Sequence, residues 1–205
     1  MNMPHAESLP SSFPMTEKQK MLSGMLFNPF DDEIQRERAA TIALCHKFNQ
    51  LQYSDFEARQ NIIREILPNI GSNIWINQPF KCDLGYNITI GDNFIGNYGL
   101  CILDFAPVKI GRWGFIGPRC TLATSVHPMS PEKRNSNLIY ALPITIGDNV
   151  WFATEVKVMA GVTIGNNVVV GMGSVVTSDI PDNSFAAGCP ARVIRRLTEY
   201  DMLKR

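Results

Sequence analysis

The string I-T-I-G-D-N occurs at residues 88–93 and returns at 144–149, with the variants V-K-I-G-R-W at Val108–Trp113 and V-T-I-G-N-N at Val162–Asn167. Around these copies an aliphatic or small residue falls on every sixth position: Ile88, Phe94 and Leu100; Val108, Gly114, Cys120 and Val126; Ile144, Val150, Val156, Val162 and Val168. A period of six matches neither the 3.6 of a helix nor the 2 of an alternating strand. It fits a solenoid in which two or three extended residues and a turn form one side of a triangular coil, so that three hexads make a coil of about 18 residues. The spacing predicts coils at 88–105, 108–125, 126–143, 144–161 and 162–179, with Ala106 and Pro107 as a two-residue insertion. Each inward aliphatic then stacks on its counterpart one coil away at the ~4.8 Å strand spacing, and Gly-Asp-Asn or Gly-Asn-Asn takes the corner, where positive φ is cheap.

The window from Val126 to Pro143 breaks the pattern. It contains three prolines and a charged, polar middle, so the chain is expected to leave the coil there as a loop and return to register at Pro143. Loops that interrupt a regular scaffold are where function concentrates.

Before residue 70 the signals are helical. Thr16-Glu17-Lys18-Gln19 and Ser54-Asp55-Phe56-Glu57 have capping-box spacing, and Asp31-Asp32-Glu33 sets negative charge at a helix start. Helices are expected at 16–26, 32–48 and 55–67, with Pro68 ending the last, in a helical segment covering 15–69 that packs on the β-helix. Residues 1–14 read as a mobile tail and Ile70 to Pro79 as a first, irregular coil. The β-helix is expected over 70–197, interrupted at Ile180 to Ser184, and 198–205 reads as a short final helix.

Composition narrows the classes. The 205 residues carry 19 Lys+Arg against 19 Asp+Glu, so the charge excess that nucleic acid or an anionic membrane attracts is missing. Five cysteines, widely spaced and without a CxxC pair, suggest neither a disulfide framework nor a zinc knuckle, and point to a reducing compartment. The opening residues lack a signal-peptide pattern and no run of ~18 apolar residues occurs, so the expected location is the cytoplasm.

Taken together, the copies of I-T-I-G-D-N, the His127-Pro128 step in the loop, P-I-T-I-G-D-N-V-W from Pro143, G-V-T-I-G-N-N from Gly161, G-S-V-V-T from Gly173 and G-C-P-A-R-V-I-R from Gly188, preceded by M-T-E-K-Q-K-M-L-S-G-M-L-F, carry a resemblance. The chain resembles the maltose and galactoside O-acetyltransferase branch of the hexapeptide-repeat acyltransferases over roughly residues 15–198. The resemblance implies a mainly β fold, a left-handed parallel β-helix with an N-terminal α-helical segment and a short C-terminal helix. It also implies a homotrimer, with acetyl-coenzyme A bound between neighbouring subunits as acyl donor and no metal.

It further implies that His127 is the general base taking the proton from an acceptor hydroxyl. An imidazole, with an ordinary pKa of ~6.5, is largely neutral at pH 7 and accepts a proton readily. The other two histidines, His5 and His46, fall in the tail and in a helix. A trimeric β-helical carbonic anhydrase needs three histidines around zinc, and this β-helix holds one. By the same resemblance, Asp83, Asn97 and Asp104 surround the acceptor hydroxyls, with Ile95 and Ile139 as further pocket positions. Asp83 and Asp104 are also readable as carboxylates that cap turns. Ile95, Gly99, Ile139 and Asn28 stand where relatives carry an aromatic, Asn, Glu or Met, and Asp, so the pocket loses polar handles. Trp151, Ala153, Thr154, Met172, Thr177, Ser178, Arg192 and Arg195 match the coenzyme side, Trp151 being equally readable as core filler. Backbone N–H groups of the Trp151–Thr154 step are candidates to meet the thioester oxygen. Guanidinium forks suit phosphates, whereas Ser178 stands where a lysine is usual. The leading expectation is acetyl transfer to a sugar, glycoside or other small hydroxylated acceptor; the alternatives are a non-sugar acceptor or longer acyl donor, and a non-catalytic trimeric scaffold.

Overall fold

The computed structural model describes residues 14–199 and 201. The hexads do build a parallel β-helix with three faces. The first face stacks Asn69–Ile70, Ile88–Ile90, Val108–Ile110, Ile144–Ile146 and Thr163–Ile164. The second stacks Ile74–Ile76, Phe94–Gly96, Phe115–Ile116, Trp151–Phe152, Val169–Val170 and Ser184–Gly188; the third stacks Lys81–Cys82, Cys101–Leu103, Thr121–Ala123, Lys157–Val158 and Val175–Val176. Apart from Ser184–Gly188 these strands are two or three residues long, and the three-residue strands of the first face run buried–exposed–buried, as at Ile88–Ile90 and Ile144–Ile146. Inward columns such as Ile88, Val108, Ile144 and Val162 are nearly fully buried in one continuous core.

One corner chemistry recurs in every coil. After the first face the chain turns through a positive φ at Asn73, Asn93, Trp113, Asn149, Asn167 and Asn183. Asparagine tolerates this conformation better than most side chains because its amide bonds locally. Here it also bonds its stacked neighbour: Asn73 Nδ2 donates to Asn93 Oδ1 at 2.9 Å, Asn149 to Asn167 at 3.1 Å and Asn167 to Asn183 at 3.0 Å. The residue before it caps the adjacent coil, Asp148 Oδ1 accepting the Arg112 N–H at 2.8 Å. The glycine before that is required by space, since a Cβ on Gly147 would lie 2.8 Å from the Gly165 carbonyl carbon.

This corner corrects two expectations. The first coil is not irregular: Ile70-Gly71-Ser72-Asn73 is a further copy of the motif, and the coil has all three sides. Nor do residues 180–184 interrupt the helix, because Ile180-Pro181-Asp182-Asn183 repeats the corner with proline for glycine. Ile180 pairs with Ile164, and Asp182 Oδ1 accepts the Asn166 N–H at 2.7 Å. The β-helix ends one strand later, where Ala191–Arg196 folds back antiparallel on Ser184–Gly188.

The N-terminal segment holds three helices: α1 (Glu17–Leu22), α2 (Asp32–Gln50) and α3 (Phe56–Ile66). The Thr16 capping box forms, but α1 stops four residues short of expectation. Gly24 takes φ +71°, its N–H meets the Met21 carbonyl, and the Met25 N–H bonds the Lys20 carbonyl, a Schellman ending. At α3 the N-cap is Asp55 and no side chain accepts from the first turn, so the expected Ser54 box is not made. Helix α2 is tied to the third face. Asn49 and Phe80 exchange two hydrogen bonds at 2.8 and 2.9 Å, and the Thr41 hydroxyl donates to the Leu84 carbonyl at 3.1 Å. The expected tail lies outside the described residues except for Pro14, and of the expected final helix only Thr198, Glu199 and Asp201 are described. No helix among the described residues is long and apolar enough to cross a membrane.

Candidate active site

The site stands on one edge of the β-helix, where all the extra length is placed. On the first face Ile70, Ile90, Ile110, Ile146 and Ile164 are successive register partners, 20, 20, 36 and 18 residues apart. The surplus lies between the third face and the next coil's first face: Cys82 to Ile90 and Ile102 to Ile110 take eight residues, Leu122 to Ile146 takes 24, and Val158 to Ile164 takes six. Two short bulges and one long loop are therefore stacked on a single edge.

The loop leaves as expected. Ser125–Val126 pairs antiparallel with Tyr140–Ala141, and between them lies α4 (Pro131–Asn135), capped by Ser130. Ile139 exchanges two backbone hydrogen bonds with Phe27, at 2.9 and 3.0 Å, so the returning limb is pinned to the N-terminal arm. A second apolar cluster forms there from Met21, Phe27, Ile34, Leu84, Phe105, Ala106, Ile139 and Ala141. These contacts hold His127, exposed at the outgoing limb, at the mouth of a cleft of about 250 Å³. Pro29 and Phe30 of the arm, Gln35 and Arg38 of α2, Asp83, Leu103 and Phe105 of the bulges, and Asn137 and Ile139 of the loop line it.

Of the expected acceptor residues, Asp83 and Ile139 share this cleft with His127. Asp83 is 3% exposed and accepts from Arg38 Nε at 2.8 Å. Burial pushes its pKa up, with the Arg38 guanidinium working against that shift. Asp104 is not a cleft residue. It is fully buried, and its Oδ1 accepts the N–H groups of Asp83 and Leu84 at 3.0 and 2.9 Å, so it shapes the turn that presents Asp83. Burial raises its pKa to about 6, and its Oδ2 has no partner. Asn28 also acts on the backbone, its Oδ1 accepting the Phe30 N–H at 3.0 Å. Ile95, Asn97 and Gly99 lie elsewhere on this chain. Ile95 is on the outer side of the second face, Asn97 accepts the Tyr98 N–H at 2.9 Å beyond it, and Gly99 supplies a φ of +76° at the next corner.

The coenzyme-side residues do not form one cavity within a single chain. Trp151 is not core filler, being 52% exposed on the second face in one row with Phe115 and Ile95, while Phe152, the next residue of the same strand, is buried. Ala153, Thr154 and the exposed Met172 follow at the next corner. The N–H groups of Trp151 and Ala153 are committed to Val168 and Val170 carbonyls at 2.9 Å, which removes both as oxyanion donors. Thr177 and Ser178 are exposed on the same edge as the loop, further along the helix. Arg192 is exposed and bonds only its neighbouring Ala191 carbonyl among the described groups. Arg195 differs from the sequence expectation: it is held in a two-point pair with Asp201 at 2.6 and 2.7 Å.

The residue that sequence reading missed is Arg38. Ile34, Thr41, Cys45 and Phe48 form the buried stripe of α2, and Arg38 falls on that stripe at the i+4 position from Ile34. A charge placed among core positions was the available signal. Its guanidinium also lies 5.7 Å from the Phe105 ring.

The chain thus presents a cleft with one imidazole at its mouth, a half-buried Arg38–Asp83 ion pair in its lining and exposed aromatic and cationic groups on neighbouring faces. The family model described as the maltose acetyltransferase hexapeptide capping motif matches residues 20–71, and that of the bacterial transferase hexapeptide (six repeats) matches residues 143–178. The galactoside O-acetyltransferase of Escherichia coli is 40% identical over 190 residues, covering 93% of each chain. The sophorolipid acetyltransferase of Starmerella bombicola is 34% identical over 192 residues, covering 89% of this chain and 74% of that one. Among solved structures, a maltose O-acetyltransferase from Clostridium difficile superposes with a TM-score of 0.89 at 41% identity, covering 90% of this chain and 98% of that one. A galactoside acetyltransferase in complex with coenzyme A gives the same TM-score at 39% identity, covering 92% and 94%. With matches that span nine-tenths of the chain at about 40% identity, the chain belongs to the maltose and galactoside O-acetyltransferase branch of the hexapeptide-repeat acetyltransferases.

Proposed function

We propose that this protein moves an acetyl group from acetyl-coenzyme A to a hydroxyl of a sugar, glycoside or similar hydroxylated acceptor, with His127 as general base. The observation that carries this reading is the placement of the only imidazole on the inserted loop at the mouth of a cleft that also presents the Arg38–Asp83 pair. An acceptor hydroxyl in that cleft gives its proton to the His127 ring as its oxygen bonds the acyl carbon. The carbon–sulfur bond breaks as the intermediate collapses, and the imidazolium returns the proton to the departing thiolate. Asp83, with a free carboxylate edge beside Arg38, orients a second hydroxyl of the acceptor.

The donor supplies the activated acyl carbonyl. The residues present fit such a group: Trp151 and Met172 offer exposed apolar surface, and Arg192 offers a guanidinium with no carboxylate partner among the described residues, suited to a phosphate. Because Ile95, Asn97 and Trp151 face away from His127 on one chain, a complete site is read as the junction of two copies in a homotrimer. The outer row Trp75, Ile95, Phe115, Trp151 and Val169 on the second face is apolar, whereas the equivalent row on the first face, Asn69, Thr89, Lys109, Thr145 and Thr163, is polar. That asymmetry marks the second face as the one to be covered. The apolar wall at Ile139, Phe30 and Phe105 favours acceptors with a hydrophobic face, and a relative named for a sophorolipid, a sugar–lipid conjugate, is in keeping with it.

The test is purified protein with acetyl-coenzyme A and a panel of free sugars, glycosides and hydroxylated metabolites, read by product mass and by light scattering. O-acetylated glycosides from a particle near three times the 22.9 kDa chain are expected. Thioester consumption with no acetylated product, or a monomer at micromolar concentration, would overturn the reading.

A further inference from the structure

Cys45 and Cys82 stand 37 residues apart in the chain, yet their sulfurs lie 3.8 Å apart across the seam between α2 and the third face. Cys45 is on the buried stripe of α2 and, with Phe48, Ile62 and Ile63 of the helical segment, joins one core with Ile74, Phe80 and Cys82 of the first coil. Two thiols sealed in a dry core would be inert packing. These two are not sealed, because both line a compartment of about 360 Å³. Its lining also holds the cationic Arg38 and Lys81, the imidazole of His46, and the Asp83 carboxylate that Arg38 pairs. Cationic groups beside a thiol favour the thiolate, which is the reactive form. The contact between the sulfurs is also unequal. The Cys82 thiol and backbone N–H push the Cys45 thiol down, while the same contact and burial push Cys82 up. Cys45 is thus the nucleophile and Cys82 its neighbour. The chain supplies its own contrast in Cys120, equally buried, whose sulfur meets the Ala153 carbonyl at 3.2 Å instead of a second thiol.

We propose that Cys45 and Cys82 form a dithiol site that hydrogen peroxide closes to a disulfide, fastening the helical segment to the first coil, and that a reducing dithiol reopens it. The Cys45 thiolate attacks one peroxide oxygen and the O–O bond breaks. The second oxygen leaves as hydroxide, takes up the proton that Cys45 gave, and departs as water, while Cys45 becomes a sulfenic acid. The Cys82 sulfur then attacks the Cys45 sulfur, the S–O bond breaks, and the leaving hydroxide carries off the Cys82 proton as a second water. Two thiols lose two electrons and one peroxide gains them. To bond, the sulfurs approach by about 1.8 Å, which side-chain rotation and a small shift of α2 supply.

The experiment exposes the full chain to hydrogen peroxide in low excess, alkylates the remaining thiols in denaturant, and maps the cysteines by mass after chymotrypsin, which cuts between Cys82 and Cys101. The expected product is a Cys45–Cys82 linked peptide that disappears on adding dithiothreitol. Cys101 lines the same compartment and is partly exposed, so Cys101→Ala tests whether it competes: the link should form unchanged in that variant. Cys45→Ser, of nearly the same volume, should abolish the link. A bond closing a loop of 37 residues restricts the unfolded chain, so at one protein concentration the oxidised protein should unfold about 5–15 °C above the reduced one. Cys45→Ser should show no peroxide-dependent shift. Recovery of both thiols free, overoxidation of either without a link, or linkage of either to Cys101 would overturn the site in the wild-type protein, whatever the variants do. A Cys45–Cys82 link that leaves Tm unchanged or lowers it would overturn the fastening.

Discussion

Replacing Arg38 by methionine removes the one cation that touches Asp83 among the described residues while keeping most of the side-chain volume. Asp83 accepts from Arg38 at 2.8 Å and its side chain is 4% exposed, so the orphaned carboxylate stays in a poorly hydrated place. Breaking a fully buried pair costs ~3–5 kcal/mol. The Arg38 side chain is 36% exposed, so water reaches the vacated space, and a discounted loss of ~1–3 kcal/mol is expected. The deficit depends on pH in a defined direction. Burial already raises the Asp83 pKa and Arg38 opposes that rise, so the variant raises it further. An acid whose folded pKa lies above its unfolded value loses stability as pH climbs from the unfolded value through the folded one. Urea unfolding of Arg38→Met should therefore differ little from wild type near pH 4 and show its full deficit at pH 7 and above. Asp83→Leu added to Arg38→Met should recover at least ~1 kcal/mol, because no uncompensated charge remains. Additive single variants, or a deficit that shrinks with rising pH, would refute the assignment of this pair.

Trp113 is the one residue in the positive-φ column that is neither asparagine nor hydrogen bonded to its stacked neighbours through a side chain, so Trp113→Asn should relieve backbone strain and bridge the break between Asn93 and Asn149. A gain of ~1–2 kcal/mol in urea unfolding is expected, and a loss would show that the indole is held by contacts stronger than the strain. On the donor side, Arg192→Ala should raise KM for acetyl-coenzyme A more than Arg195→Ala does, since Asp201 already occupies the Arg195 fork. Steady-state rates with coenzyme donors that keep or lack the 3′-phosphate check this, and a larger effect at Arg195 would mean that its pair opens on binding.

The β-helix was legible because its corner is chemically demanding. Four copies of the Ile-Gly motif stand out, and the two overlooked ones, at Ile70 and Ile180, differ only by Ser for Asp and Pro for Gly. Pro181 is tolerated because the last corner has no following coil to crowd it. The loop announced itself by its prolines. The end of α1 was less legible, since Gly24 in a left-handed turn stops it early, and at α3 the bounds match to within a residue although the Ser54 spacing makes no capping box. His127 and Asp83, expected at the acceptor by resemblance, line one cleft. Asp104 carries the same side chain as Asp83 but faces inward, and alternation along a two-residue bulge does not reveal which of the two carboxylates meets the cleft. Arg38 required knowing that the α2 stripe packs beside an acidic turn 45 residues away. Ile95 and Trp151 lie on the second face, away from the loop that carries His127, and the pattern of one chain does not bring them together.

The central claim is that His127 takes the acceptor's proton. The direct measurement is acetyl transfer to a methyl glycoside by wild type and His127→Ala, each checked for assembly by light scattering and for coenzyme binding by calorimetry. His127 is exposed and makes no side-chain hydrogen bond among the described groups, so folding, assembly and coenzyme affinity should be unchanged. The transfer rate should fall 10²- to 10⁴-fold, ~3–5 kcal/mol of barrier. An intact His127→Ala protein that acetylates the glycoside within a few-fold of wild type would contradict the account.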